Sequence, residues 1–168
     1  MHNIMKTTKS HINKVINNLK QKIEEKKKAA NHLSKDYGYM HAITRTVTEM
    51  DNVLFTALTH NPQPLHLDEE FSKKTMYGQR IVNSLFTLGL VIGVTVADTT
   101  LSTTLGNLGM TDIRFKNPLF HGDTVNVITR VKEVRESKSR PNEGIVVFEH
   151  FGYKQDGKEI CYLSRTAL

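Results

Sequence analysis

An α+β fold, in which an antiparallel sheet curls around one long buried helix, is predicted by three features of the 168-residue sequence. The stretch from Ile81 to Ala97 is apolar on almost every side, with Gly89 and Gly93 four residues apart, so a helix there must be surrounded by protein. After it come four runs rich in Val, Ile, Thr and Phe, at 101–116, 124–135, 144–155 and 158–166, which read as strands. Turn signals part them: Asn117-Pro118, His121-Gly122-Asp123, Ser139-Arg140-Pro141-Asn142 and Asp156-Gly157, the last a strong hairpin marker. The central helix is set at about 82–97, and the sheet must wrap around it to bury it.

The elements ahead of that helix follow in order. In the leading segment Ile12, Val15, Ile16, Leu19 and Ile23 recur at helical spacing among lysines, which predicts an amphipathic helix standing apart as an extension over 1–35. A single domain is expected over 36–168. His41 to Val47 alternates and is β-branched, suggesting a strand, and Thr48-Glu49-Met50-Asp51 has the form of a capping box opening a short helix. That helix carries Val53, Leu54, Phe55, Ala57 and Leu58. Asp68 is an N-cap candidate for another, with Glu69 and Glu70 in its first turn, Lys73 and Lys74 near its end and Gly78 after it. The stretch Asn61-Pro62-Gln63-Pro64-Leu65-His66 is therefore expected in a loop between two helices.

Composition excludes several functions. The formal net charge of +6 raises nucleic acid as a partner, but its placement answers the question. Residues 1–35 hold nine lysines against two glutamates, whereas 36–168 hold 14 basic and 15 acidic residues. The body is nearly neutral, and the basic leader lacks the interleaved aromatics of a nucleic-acid arm. The longest apolar run carries Thr and Gly and covers about half a bilayer, so no membrane-spanning helix is expected. A single cysteine, Cys161, forms no internal disulfide and no zinc pattern with the scattered histidines, which fits a reducing cytoplasm and a packing role in its strand. Edge strands of a small sheet invite pairing, so a homodimer or larger homo-oligomer is expected.

Phe55-Thr-Ala-Leu-Thr-His-Asn-Pro-Gln-Pro-Leu-His-Leu-Asp68, followed by Tyr77-Gly78 and Ile81-Val-Asn-Ser-Leu85, resembles the MaoC-like (R)-specific enoyl-CoA hydratase/dehydratase family. The resemblance covers about residues 41–168. It implies a hot-dog fold, a homodimer or higher assembly, and a hydro-lyase adding water to an enoyl-CoA thioester or removing it, with no metal or redox cofactor. Within the family, Asn61-x-Gln-Pro-Leu-His with Arg45-Thr-Val-Thr-Glu and Asn83-Ser84-Leu85-Phe86 looks most like the branch acting on mesaconyl-, itaconyl- or methylmalyl-CoA. Two positions depart from the family pattern: Asn61 stands where a catalytic Asp is usual, and Asn83-Ser84 replaces a His-Gly at the helix start.

That chemistry needs a base for water, a proton for Cα and donors for the enolate-like oxygen. His66 is the acid/base candidate, since imidazole titrates near working pH and two prolines stiffen its loop. Asn61 orients the water or else makes an Asx-turn or helix C-cap. Asn83, Ser84 and Leu85 offer backbone N–H groups at the helix N-terminus for the oxygen, or a plain N-cap. Lys116, Arg135, Lys138 and Arg140 are candidates for CoA phosphates or a distal carboxylate, against a solvated surface role. Asp98 and Asp123 read as solvated residues at element ends. Two other functions stay open: a hot-dog acyl-CoA thioesterase and a non-catalytic acyl-CoA-binding protein.

Overall fold

A computed structural model describes residues 38–168. The leader and its amphipathic helix, with the boundary at 35/36, lie outside the described residues.

The sheet consists of β1 (Tyr39–Met40), β2 (Arg45–Thr46), β3 (Asn107–Phe115), β4 (Thr124–Glu136), β5 (Gly144–Lys154) and β6 (Glu159–Ala167). Its order is β1-β4-β5-β6-β3, with β2 also on β4 and every pairing antiparallel. The helices are α1 (Glu49–Leu58), α2 (Pro64–Leu67), α3 (Glu69–Ser72) and α4 (Ser84–Thr99). α4 lies on one face of the sheet, and Leu88, Val91 and Val94 pack with Val125, Val127, Cys161 and Leu163 into the core. The closest approach is at Gly152, where an added Cβ would lie 2.5 Å from Val91 Cγ2. This glycine lets helix and sheet touch backbone to side chain. Residues on β5 alternate faces, so Phe148, His150 and Gly152 share the helix-facing side.

Several expectations are sharpened. The capping box is present, with Asp51 N donating to Thr48 Oγ1 at 3.3 Å and Thr48 N to Asp51 Oδ2 at 2.8 Å. Asp68 caps α3 through Phe71 N at 2.9 Å. Of the strand expected at 41–47 only β2 forms, with β1 just ahead of it; His41 keeps a backbone bond to Val127 O at 3.0 Å while its side chain bonds Asp98 on α4. The run at 101–116 pairs only from Asn107, since Thr100–Gly106 turns back on Leu168, with Ser102 at φ 60°. The central helix runs two residues later at each end than expected, held there by its cap at Asn83.

α1 buries Asn52 and Thr56 and exposes Leu54 and Leu58, and its polar side fastens the neighbouring loop. The expectation that α4 is enclosed all round is corrected: Leu85, Gly89, Gly93 and Ala97, at four-residue intervals, form an exposed stripe.

Candidate functional site

The stretch between α1 and α3 is not all loop. Pro64 at the first helical position starts the single turn α2, since proline lacks the N–H that position leaves unpaired. That turn carries His66 inward, where it is buried. His66 Nδ1 lies 3.0 Å from the Ile81 carbonyl oxygen. A carbonyl only accepts, so Nδ1 carries the proton in the neutral ring and Nε2 keeps a lone pair. The fold thereby fixes which ring nitrogen bears the proton.

Asn52, from the middle of α1, joins this turn to the start of α4. Its Nδ2 donates to His66 O at 3.1 Å and to Ile81 O at 3.4 Å, and its Oδ1 accepts from Asn83 N at 2.8 Å. The amide is fully buried, and its orientation follows from facing two carbonyls and one N–H. Sequence reasoning missed it. An Asn in the middle of an otherwise amphipathic helix was the available signal, masked by five apolar neighbours.

Asn83 is the N-cap of α4, with Oδ1 accepting from Leu85 N at 3.0 Å, and its buried Nδ2 has no partner among the described residues. The Leu85 amide is thus occupied and is removed from the oxygen-binding candidates. Thr87 N and Oγ1 both donate to Asn83 O, and the Ser84 and Phe86 amides at the helix N-terminus have no acceptor among the described residues. Phe86 is a second residue the sequence reading missed. Beside this first turn lies a cavity of about 290 Å³ lined by Tyr77, Ile81, Ser84, Thr87, Phe115 and Lys116, among others.

Asn61 resolves as the centre of an Asx-turn, its Oδ1 accepting from Gln63 N at 3.1 Å, while Thr59 takes the C-cap. Its Nδ2 remains as a donor. Lys116 reaches the cavity and pairs with Glu159 at 3.0 Å. Arg135, Lys138 and Arg140 are not brought to this site. They lie on the β4–β5 hairpin, where Arg135 pairs with Glu133 and Arg140 with Glu143, some 12 residues of strand from the loop that bridges to Ile81. Asp123 is not a solvated turn residue: it is buried, pairs with Lys154 at 3.2 Å and accepts from Phe120 N. Asp98 likewise bonds His41, at 2.8 Å. Burial pushes the Cys161 thiol up to about 11, so it is a packing residue rather than a nucleophile.

A second polar chain runs through the core. His41 Nε2 meets Thr129 Oγ1, and Thr129 Oγ1 meets His150 Nδ1, each at 2.8 Å. His150 is held down to about 3, first by burial and then by the charge of Arg165. Its ring is neutral.

Comparison with known proteins agrees with this architecture. The family model described as MaoC like domain matches residues 28–153. The mesaconyl-CoA hydratase of Cereibacter sphaeroides is 31% identical over 128 residues, covering 76% of this chain and 37% of that protein. The beta-methylmalyl-CoA dehydratase of Chloroflexus aurantiacus is 30% identical over 116 residues, 69% of this chain and 32% of that one. The chain thus spans about a third of the length of these two relatives. Among solved structures, a monoamine oxidase regulatory protein from Archaeoglobus fulgius superposes with a TM-score of 0.70 at 30% identity, covering 77% of this chain and 87% of its own. With three quarters of its length matched by the family model and its sheet and central helix shared with solved relatives, the chain belongs to the MaoC-like domain family, on a hot-dog fold.

Proposed function

We propose that this protein is a hydro-lyase that adds water to an enoyl-CoA thioester, or removes it from the 3-hydroxyacyl-CoA, and that it works as a cytoplasmic homodimer. The observation that carries this reading is His66, whose Nε2 lone pair is fixed by the Ile81 carbonyl beside a helix start with free Ser84 and Phe86 amides. In the forward direction Nε2 takes a proton from water held by Asn61 Nδ2, and the oxygen bonds to Cβ as the carbon–carbon double bond opens. The electron pair moves onto the thioester oxygen, where the two amides and the helix dipole stabilise it. The imidazolium then returns the proton to Cα, so one water is added and the histidine is regenerated. The base and the donors come from the chain and the proton from the added water, so the reaction needs no cofactor.

The names of the relatives support a branched C5 dicarboxylyl-CoA as substrate. Two surfaces support the homodimer. β3 is exposed along its whole length, including Leu108, Met110, Ile113 and Phe115, and has a free edge. The stripe on α4 has two glycines whose added Cβ atoms would meet nothing, although each glycine costs a helix about 1 kcal/mol. A second copy pairing β3 with β3 and laying its α4 against this stripe accounts for both. A buried, free Cys161 supports the reducing compartment.

Mesaconyl-CoA, itaconyl-CoA and crotonyl-CoA, each incubated with the protein, should lose their conjugated-thioester absorbance. His66→Ala should abolish the loss. No change with any of the three, and none in the dehydration direction, overturns the reading.

A further inference from the structure

Arg165 is a buried cation without a counter-ion. It is 5% exposed, no carboxylate among the described residues pairs with it, and its Nε and Nη2 have no acceptor. Its guanidinium lies over the Phe148 ring, Cζ 5.4 Å from the centroid. Burying an uncompensated guanidinium is costly, and burial lowers its pKa here. Nε and Nη2 form one edge of the guanidinium, the edge that grips a carboxylate with two parallel hydrogen bonds. His150, stacked on Phe148 and itself 0% exposed, has a second unpartnered atom, Nε2, on the same face of the sheet. The carboxylate at the end of that side-chain row, Asp98, is already taken by His41.

We propose that Arg165 binds the terminal carboxylate of an acyl group held in the partner subunit's cavity, so that each site is completed by the other chain. This deepens the homodimeric hydro-lyase reading and rests on it. Within one chain the distance is wrong: His66 is tied to Ile81, three residues ahead of α4, whereas the His150 chain ends at Asp98, 14 helical residues on from Ser84, or about 21 Å along the axis. A five-carbon acyl group does not span that. Two-fold pairing of β3 centred on Thr111 reverses both strand and helix, and it sets Phe115 of the partner subunit opposite Asn107. Asn107 pairs with Ala167, and Met110 with Arg165. The cavity wall at Phe115 of the partner subunit then lies two strands across and three residues along from Arg165, about 10 Å in each direction before its side chain extends. Asp112 of the partner subunit does not supply the carboxylate. In this chain Asp112 acts on Tyr162, on the opposite face of the sheet from Arg165.

The test is a selectivity ratio, kcat/KM for mesaconyl-CoA over that for crotonyl-CoA, which cancels general damage to the fold. Arg165→Gln and the space-filling Arg165→Met should each lower the ratio about 100-fold. A ratio unmoved in both variants overturns the proposal. Mixed dimers test the placement. Reassorting Arg165→Gln chains with His66→Ala chains gives half mixed dimers, each with one intact site if Arg165 serves the partner, so turnover of mesaconyl-CoA returns to about a quarter of wild type. No return overturns the cross-subunit site. If the wild-type protein turns over neither thioester, the hydro-lyase reading fails separately. The seat is then judged by calorimetry: equal affinities for mesaconyl-CoA and crotonyl-CoA overturn it.

Discussion

Replacing Asn52 by alanine should separate the two halves of the site. The change removes the acceptor of Asn83 N, leaving a buried N–H unpaired at about 1–3 kcal/mol, and removes the donor to His66 O, at about 1 kcal/mol more. The Ile81 carbonyl keeps its bond from His66, so the weaker 3.4 Å contact adds little. The expected loss is about 2–4 kcal/mol, a large share of the roughly 5–15 kcal/mol that holds a typical domain. Urea unfolding followed by circular dichroism should show a lower midpoint with an unchanged slope. Asn52→Asp should be no better than alanine, because it keeps the acceptor but turns a carboxylate oxygen toward two carbonyls. A loss below about 0.5 kcal/mol for alanine, or full stability in Asn52→Asp, would refute the reasoning.

Three further outcomes follow from other parts of the fold. Gly152→Ala places a Cβ against Val91 Cγ2 in the core and should cost about 1–3 kcal/mol by thermal unfolding, whereas Gly89→Ala, which meets nothing, should stabilise the isolated chain. Gly93→Leu, on the exposed stripe, should leave the chain folded but shift the sedimentation profile toward monomer; an unchanged dimer would take α4 out of the interface. His150 drops from 6.5 to about 3 on folding, so the unfolded chain binds the extra proton between those values. Its neutral burial therefore favours the fold above 6.5, and stability is lost as pH falls from 6.5 toward 3. His150→Gln should flatten the slope of unfolding free energy against pH in that window, and an unaltered slope would show that His150 does not titrate there.

The sheet, its hairpin turns and the central helix were legible because each rests on local chemistry: β-branched runs, Asp156-Gly157, and an apolar run too long to leave exposed. Caps at Thr48 and Asp68 were equally legible, since a cap spans three or four residues. What escaped depends on contacts distant in sequence. Asn52 binds residues 14 and 31 positions away, and the His41 side chain bonds Asp98, 57 positions on. The glycine stripe of α4 reads as core because the run is apolar on every side, and only the packing shows which side turns away from the sheet. Arg165 was passed over within the strand run 158–166, and only its lack of a counter-ion among the described residues distinguishes it. Arg135, Lys138 and Arg140 drew notice as cations near turns, but a turn's position along the chain does not say at which end of the sheet it sits.

The partner that sets the His66 tautomer is a main-chain oxygen, that of Ile81. No codon change can delete it, so the proton inventory of the ring is insulated from drift at position 81, where any side chain brings the same carbonyl. Heredity can disturb this atom only by moving the backbone, through Asn52 or a proline nearby. A chemist can do what mutation cannot: an ester or thioamide at that one linkage would weaken the acceptor without touching a side chain, and would report directly on how much of the base's strength is written in the main chain.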